Sequence, residues 1–238
     1  MDKVINNFIQ NGCVKIEDIV ERDLCYNIHN NCLEFLNTID LKKSKEYDNF
    51  IVGYNRDKKT ICPFSTAKPF ITTRGHSGYD KNFVEMFRVD RLFEDEYMLT
   101  IVKKTSNFLN KFLVCLGKKK ISNLEFSIYW NKNVDVRGFH RDVLVNNESK
   151  DVFKLFIYLT DVSNIEYGPY SYIEKTHNLE YCLQLGRELP MLADLDISPK
   201  LFLGKAGTSF ISNQKGLHRG EPQLNGKTRM MFVCKARV

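Results

Sequence analysis

Between Glu94 and about Leu116, apolar residues fall at Met98, Ile101, Val102, Phe108, Leu109, Phe112 and Leu113, with Thr105 filling the stripe, which is the spacing of one helix face. Beyond residue 122 that period stops, and short runs rich in β-branched and aromatic residues replace it. The switch constrains the fold. A helical preamble followed by a strand-rich half is what a jelly-roll or cupin-like barrel flanked by N-terminal helices produces, an α+β chain with a mainly β core. Gly117 is the expected stop of the helix. A second helix is expected over Glu21 to Ile39, with Leu24, Ile28, Cys32, Leu33, Phe35 and Leu36 on its apolar side, preceded by a short strand near Cys13 to Ile16. Strands are expected near Leu124 to Asn131, Val152 to Thr160, Tyr170 to Ile173, Thr208 to Ser212 and Thr228 to Lys235. Turn signals separate them at Asn146-Asn147, Gly168-Pro169 and Asn225-Gly226.

With 238 residues, 43% of them hydrophobic, the chain suffices for one domain with a sizeable core and is too short for two ordinary ones. No internal repeat, low-complexity tract or linker divides it, so one domain is expected over 1–238, with 1–120 as helical support and a loop and 121–238 as the barrel core. The loop is the segment from Gly53 to Asp90, where Pro63, Pro69, Gly75 and Gly78 break every period; a long irregular stretch of this kind is often a functional lid. It mixes Arg56, Lys58, Lys59, Lys68 and Arg74 with Tyr54, Phe64, Phe70 and Tyr79. That basic excess fits an acidic or phosphate-bearing small-molecule substrate as well as it fits an ordinary solvated loop. Arg74, His76 and Tyr79 are its candidate substrate contacts.

The seven cysteines are scattered and nowhere spaced as CxxC, which points to buried, reduced thiols rather than disulfides or a zinc knuckle. The net charge of +6 is spread along the chain, and only Lys118, Lys119 and Lys120 are locally dense. No aromatic platform is interleaved with them, so a solvated helix end is favoured over a nucleic-acid patch. The start MDKVINNFIQ carries no apolar run, and no later stretch reaches about 18 uninterrupted apolar residues, so neither export nor a membrane span is implied and a cytoplasmic location is expected.

His140 stands in Gly138-Phe139-His140-Arg141-Asp142, so His140 and Asp142 are two residues apart and share one side of an extended chain. On that spacing alone, a surface histidine beside an unrelated aspartate is the commoner explanation. His218, in Gly216-Leu217-His218-Arg219-Gly220, lies just after an expected strand that can return beside the first. Two histidines and one carboxylate make a facial triad, which leaves three positions of an octahedron open and suits ferrous iron binding a bidentate acid and then oxygen. Zinc more often takes four ligands, or three and a water. Arg229 lies eleven residues beyond His218, inside an otherwise apolar strand. A buried guanidinium needs an anion, and the distal carboxylate of 2-oxoglutarate matches its planar fork. Taken alone, a structural salt bridge explains Arg229 equally well.

At this point the chain resembles the phytanoyl-CoA dioxygenase-like branch of the Fe(II)/2-oxoglutarate oxygenases, over nearly its whole length. Phe8-Ile9-Gln10-Asn11-Gly12-Cys13-Val14-Lys15-Ile16 followed by a helix is similar to the family's opening strand and helix. Tyr158-Leu159-Thr160-Asp161-Val162 leading through Gly168-Pro169-Tyr170-Ser171-Tyr172-Ile173 to Thr176-His177 resembles the stretch that usually ends in Pro-Gly-Ser-His. Gly207-Thr208-Ser209-Phe210-Ile211 running into His218 and Arg229 resembles the distal histidine and co-substrate strands. The resemblance implies a double-stranded β-helix, Fe(II) on His140, Asp142 and His218, and 2-oxoglutarate on Arg229. It implies oxidation of a C–H bond of a small molecule with release of succinate and CO2. A carboxylate at Asp142, where halogenating relatives carry a small residue, implies hydroxylation or another C–H oxidation such as desaturation. Two departures stand out: Glu174-Lys175 replaces the usual Pro-Gly, and no Ser or Thr stands second after Arg229. Thr228 is the adjacent candidate for a helper contact, which it reaches only if the strand bulges.

Within the strand from Val152, alternation puts Phe153, Leu155, Ile157 and Leu159 on one face and Lys154, Phe156 and Tyr158 on the other. The apolar set should face the helices. The mixed set should face the barrel interior, where Phe156 and Tyr158 are candidate substrate contacts and Lys154 either meets a carboxylate of co-substrate or substrate or snorkels to the rim. His177 is expected to serve its turn and His29 to lie on a helix surface. The competing readings are a cupin-type metal protein that uses no oxo-acid and a non-catalytic barrel module.

Overall fold

In the computed structural model the described residues are 1–37, 70–73, 84–88, 96–118, 121, 123–132, 138–143, 151–178 and 198–238. The chain opens with a helix the sequence reading did not separate from the strand after it, α1 (Asp2–Asn11). Ile5 and Phe8, one turn apart, are its buried residues. Gly12 ends it at φ 76°, its N–H bonded to Phe8 O at 2.7 Å, and turns the chain into β1 (Cys13–Ile16). A Cβ at Gly12 would lie 2.4 Å from both His177 Nδ1 and the Tyr172 hydroxyl, so the position needs glycine for space as well as for φ.

Helix α2 (Arg22–Asn37) and helix α3 (Glu96–Cys115) lie where the apolar period places them. α3 buries Met98, Ile101, Thr105, Leu109, Phe112 and Leu113. It ends at the expected glycine through two bonds, Gly117 N–H to Val114 O and Lys118 N–H to Leu113 O, which satisfy carbonyls the helix leaves open. No helix of the described residues is long and apolar enough to cross a membrane.

The remaining strands are β2 (Phe70–Thr73), β3 (Val84–Arg88), β4 (Asn123–Lys132), β5 (Val152–Tyr158), β6 (Tyr170–Tyr172), β7 (Lys200–Phe202), β8 (Ser209–Asn213), β9 (His218–Gly220) and β10 (Thr228–Arg237). They form a seven-stranded antiparallel sheet in the order β1-β8-β5-β10-β4-β3-β2 and a three-stranded sheet in the order β7-β6-β9. This is the double-stranded β-helix. β2 and β3 correct the expectation of an unbroken irregular loop from 53 to 90: they are short outer strands held by ladder pairing, as in Glu85↔Trp130, which no local period announces. Nothing else of that segment, the candidate lid with Arg74, His76 and Tyr79 included, falls among the described residues.

β5 sits between β8 and β10, and all its residues are buried. Phe153, Leu155, Ile157 and Leu159 pack with Phe8, Ile28, Ile101 and Phe112 of the helices. Phe156 and Tyr158 pack between the sheets with Tyr170, Phe202 and Phe210. Each large apolar side chain removed from water in these two layers contributes about 1.5–3 kcal/mol before the entropy of ordering is subtracted. Cys13, Cys25, Cys32 and Cys234 are buried free thiols, whereas Cys115 is exposed on α3, contrary to the expectation for all seven; Cys62 and Cys182 lie outside the described residues.

Candidate metal centre

His140 and His218 come from opposite edges of a single antiparallel bridge, with His140 N–H on His218 O at 3.1 Å and His218 N–H on His140 O at 3.0 Å. The bridge brings their rings to 4.6 Å between centroids. Each Nδ1 lies against the carbonyl two residues earlier, His140 on Gly138 O at 3.1 Å and His218 on Gly216 O at 2.9 Å. A carbonyl only accepts, so both Nδ1 atoms carry the proton and both Nε2 atoms present a lone pair.

Asp142 completes the set. Its N–H donates to Gln214 O at 3.0 Å, and its Oδ1 lies 3.9 Å from His140 Nε2 and 4.0 Å from His218 Nε2. The ligand atoms of the three residues all lie within 4.8 Å of one another. Two cis donors on one ion at ordinary bond lengths stand about 3 Å apart, so an ion would draw this set inward by roughly 1 Å. The residues therefore fit a divalent metal in number, donor type and tautomer.

The electrostatics agree with that use. Burial pushes the His218 imidazole down to about 3, and Asp142 only partly offsets it, so the ring is neutral at neutral pH, as a ligand must be. Burial alone would raise the Asp142 carboxyl, but the Lys154 ammonium above all, with the two histidines, holds it well below the usual carboxylate range. Lys154 lies on the interior face as alternation predicts, and its Nζ donates to Asp142 Oδ2 at 2.6 Å.

Arg229 is 4% exposed on β10. Its guanidinium lies over Gly220, two residues along β9 from His218, where a Cβ would stand 2.8 Å from Nη2. The β4–β10 ladder runs through Thr228↔Lys132 and Arg229↔Asn131 without a bulge, so alternation puts the Thr228 side chain on the opposite face from Arg229. Phe156 and Tyr158, offered by the sequence as substrate contacts, are core instead. Phe156 stacks on Phe210 at 5.0 Å, and the Tyr158 hydroxyl donates to Phe202 O at 2.7 Å and accepts Tyr170 N–H at 3.0 Å. His177 is buried and bonds Ile9 O through Nε2 at 3.1 Å, tying its turn to α1, while His29 is half-buried rather than on the helix surface.

The sequence reading passed over several residues that shape the site. Tyr170 stacks on the His218 ring at 5.6 Å and shares a hydrogen bond with Ser212 Oγ at 2.9 Å. Arg141 Nη1 donates to Thr176 O at 2.8 Å and to Lys215 O, fastening the segment between the two ligands to neighbouring loops. Arg219 lies over the Phe139 ring at 4.3 Å and grips Glu221. A signal for this was present: Gly138-Phe139-His140-Arg141 and Gly216-Leu217-His218-Arg219 are the same pattern of glycine, apolar residue, histidine and arginine. Both copies fold so that the imidazole Nδ1 lies on the carbonyl of the glycine two residues earlier.

No protein-family model and no curated protein matches the chain. Solved structures share its fold. The non-heme alpha ketoglutarate dependent carbocyclase SnoK from nogalamycin biosynthesis aligns with TM-score 0.64 and 14% identity, covering 100% of this chain and 84% of that one. The epimerase SnoN in complex with Fe3+, alpha ketoglutarate and nogalamycin RO aligns with TM-score 0.58 and 10% identity, over 99% of this chain and 82% of that one. A Pseudomonas putida prolyl-4-hydroxylase aligns with TM-score 0.57 and 10% identity, over 99% and 97%. At such identities the likeness is one of fold, and the narrower phytanoyl-CoA dioxygenase-like branch finds no support in it.

Proposed function

We propose that the chain is an Fe(II)- and 2-oxoglutarate-dependent oxygenase acting on a small molecule. The observation that carries this reading is the arrangement on β9: His218 turns Nε2 toward Asp142 Oδ1, and two residues further Gly220 leaves room for the buried Arg229 guanidinium. His140, Asp142 and His218 would hold the metal, and Arg229 would take the distal carboxylate of 2-oxoglutarate. When bound, the iron and oxo-acid supply the oxidising chemistry, with succinate and carbon dioxide as by-products.

The chain's own contribution is geometry. The Gly138 and Gly216 carbonyls fix both imidazoles as Nε2 donors, and the Gln214 carbonyl fixes the Asp142 backbone. Phe156, Phe210 and Tyr170 pack a dry wall beneath the site. The carboxylate at Asp142 fits hydroxylation or another C–H oxidation rather than halogenation. Similar folds serve an epimerase, a carbocyclase and a hydroxylase, so the fold alone does not choose the reaction. A second reading, a metal protein that uses no oxo-acid, draws on the charge of Glu221 near Arg229.

The deciding experiment is an anaerobic Fe(II) titration followed by 2-oxoglutarate and oxygen. One equivalent of iron per chain, its loss in His140→Ala, Asp142→Ala and His218→Ala, and oxygen-dependent succinate release are expected. Unchanged iron affinity in two of those variants overturns the metal assignment, and iron binding without any response to 2-oxoglutarate favours the second reading.

A further inference from the structure

The two oxygens of Asp142 have different neighbours. Oδ1 faces both Nε2 atoms, at 3.9 and 4.0 Å, while Oδ2 accepts the Lys154 ammonium at 2.6 Å. Lys154 is 8% exposed and stands on the inner face of β5, whose ladder partners at that level are Ser212 and Lys235. Lys235 is engaged on its other side by Glu125 at 3.4 Å.

The pair is set by the backbone rather than by two flexible side chains meeting by chance. Asp142 N–H donates to Gln214 O at 3.0 Å, and Gln214 N–H donates to Val152 O at 2.9 Å, two residues before Lys154 on the same strand. A carboxylate beside a divalent ion can bind through one oxygen or chelate through both, and chelation takes a position that a bidentate oxo-acid and oxygen both need.

The geometry points to Lys154 as a positioning residue that holds Asp142 by Oδ2, so that only Oδ1 is offered to the metal and a coordination position stays open. This rests on the metal centre proposed above, but not on the identity of the co-substrate. Lys154 also brings a positive charge beside the ion. Losing it relieves repulsion on the metal while losing orientation of its ligand, so metal affinity is a poor readout of the role and the number of metal-bound waters is the direct one.

The test is water-proton relaxation of the manganese(II)-loaded protein, before and after 2-oxoglutarate, in wild type, Lys154→Met and Lys154→Arg. Before 2-oxoglutarate, Lys154→Met is expected to lose about one bound water relative to wild type as Asp142 chelates. Lys154→Arg, which can still grip Oδ2, is expected to retain it. The 2-oxoglutarate needed to displace the remaining waters should rise about tenfold or more in Lys154→Met. If that variant does not fold, Lys154→Ala carries the same expectation.

Equal relaxation in wild type and Lys154→Met overturns the proposal. A direct lysine contact to the oxo-acid would weaken 2-oxoglutarate while leaving the water count unchanged, and that result also overturns it. If wild type takes up no manganese, the metal centre and this proposal fall together. If wild type binds manganese but ignores 2-oxoglutarate, the oxygenase reading fails and the water count still decides the role of Lys154.

Discussion

A Cβ on Gly220 would stand 2.8 Å from Nη2 of Arg229, so the strand that carries His218 leaves its gap where the guanidinium lies. The obstruction would be the end of a long side chain rather than backbone, which lets the arginine move instead of the sheet. Gly220→Ala should therefore leave the metal site intact and weaken 2-oxoglutarate about tenfold through the displaced fork. Metal and 2-oxoglutarate titrations on the same sample check this. Equal weakening of both would point to general disruption instead.

Arg229→Ala should keep iron and weaken 2-oxoglutarate by about 2–5 kcal/mol, the range for losing one partner of a buried charge pair. Calorimetric titration of the iron-loaded variant measures it. An unaltered 2-oxoglutarate affinity would show that Arg229 serves the fold alone.

Phe112→Ala should destabilise the chain by about 3–5 kcal/mol, because a fully buried ring is removed from the contact between α3 and the sheet. Its edge meets the Phe8 ring at 5.1 Å, and Phe8 in turn meets Phe153 of β5 at 6.0 Å, so the cavity would open between three elements. Urea denaturation gives the value, and a loss near zero would mean the helices add little to the stability of the barrel.

His177 makes the metal-free protein less stable on mild acidification. Burial holds its imidazole below the ordinary value, outweighing the bond to Ile9 O, and the Arg141 charge acts in the same direction as burial. Below about pH 6.5 the unfolded chain takes up a proton that the folded chain resists, so stability falls as pH falls through that range. His177→Gln should flatten part of this slope in denaturation curves between about pH 7 and pH 5.5. An identical slope in the variant would assign the effect to the other buried histidines.

The helices, the alternation of β5 and the histidine–aspartate spacing were legible because each is a local pattern. A helix face recurs within a turn and a strand face within two residues. The same locality left α1 unread ahead of the strand at Cys13 to Ile16, since the break between them lies in the left-handed conformation of Gly12 and its room beside His177. It also hid β7 and β9, three-residue strands whose ladder partner is β6. Alternation put Lys154, Phe156 and Tyr158 on one interior face but could not separate their roles. Two are sealed in core by Phe210 and Phe202, and the third meets Asp142 because the Gln214 backbone joins segments far apart in sequence. Which side chains share a face depends on the period of one element, while which of them touch depends on how distant strands come into register, and that is settled by burial and hydrogen bonding over the whole molecule.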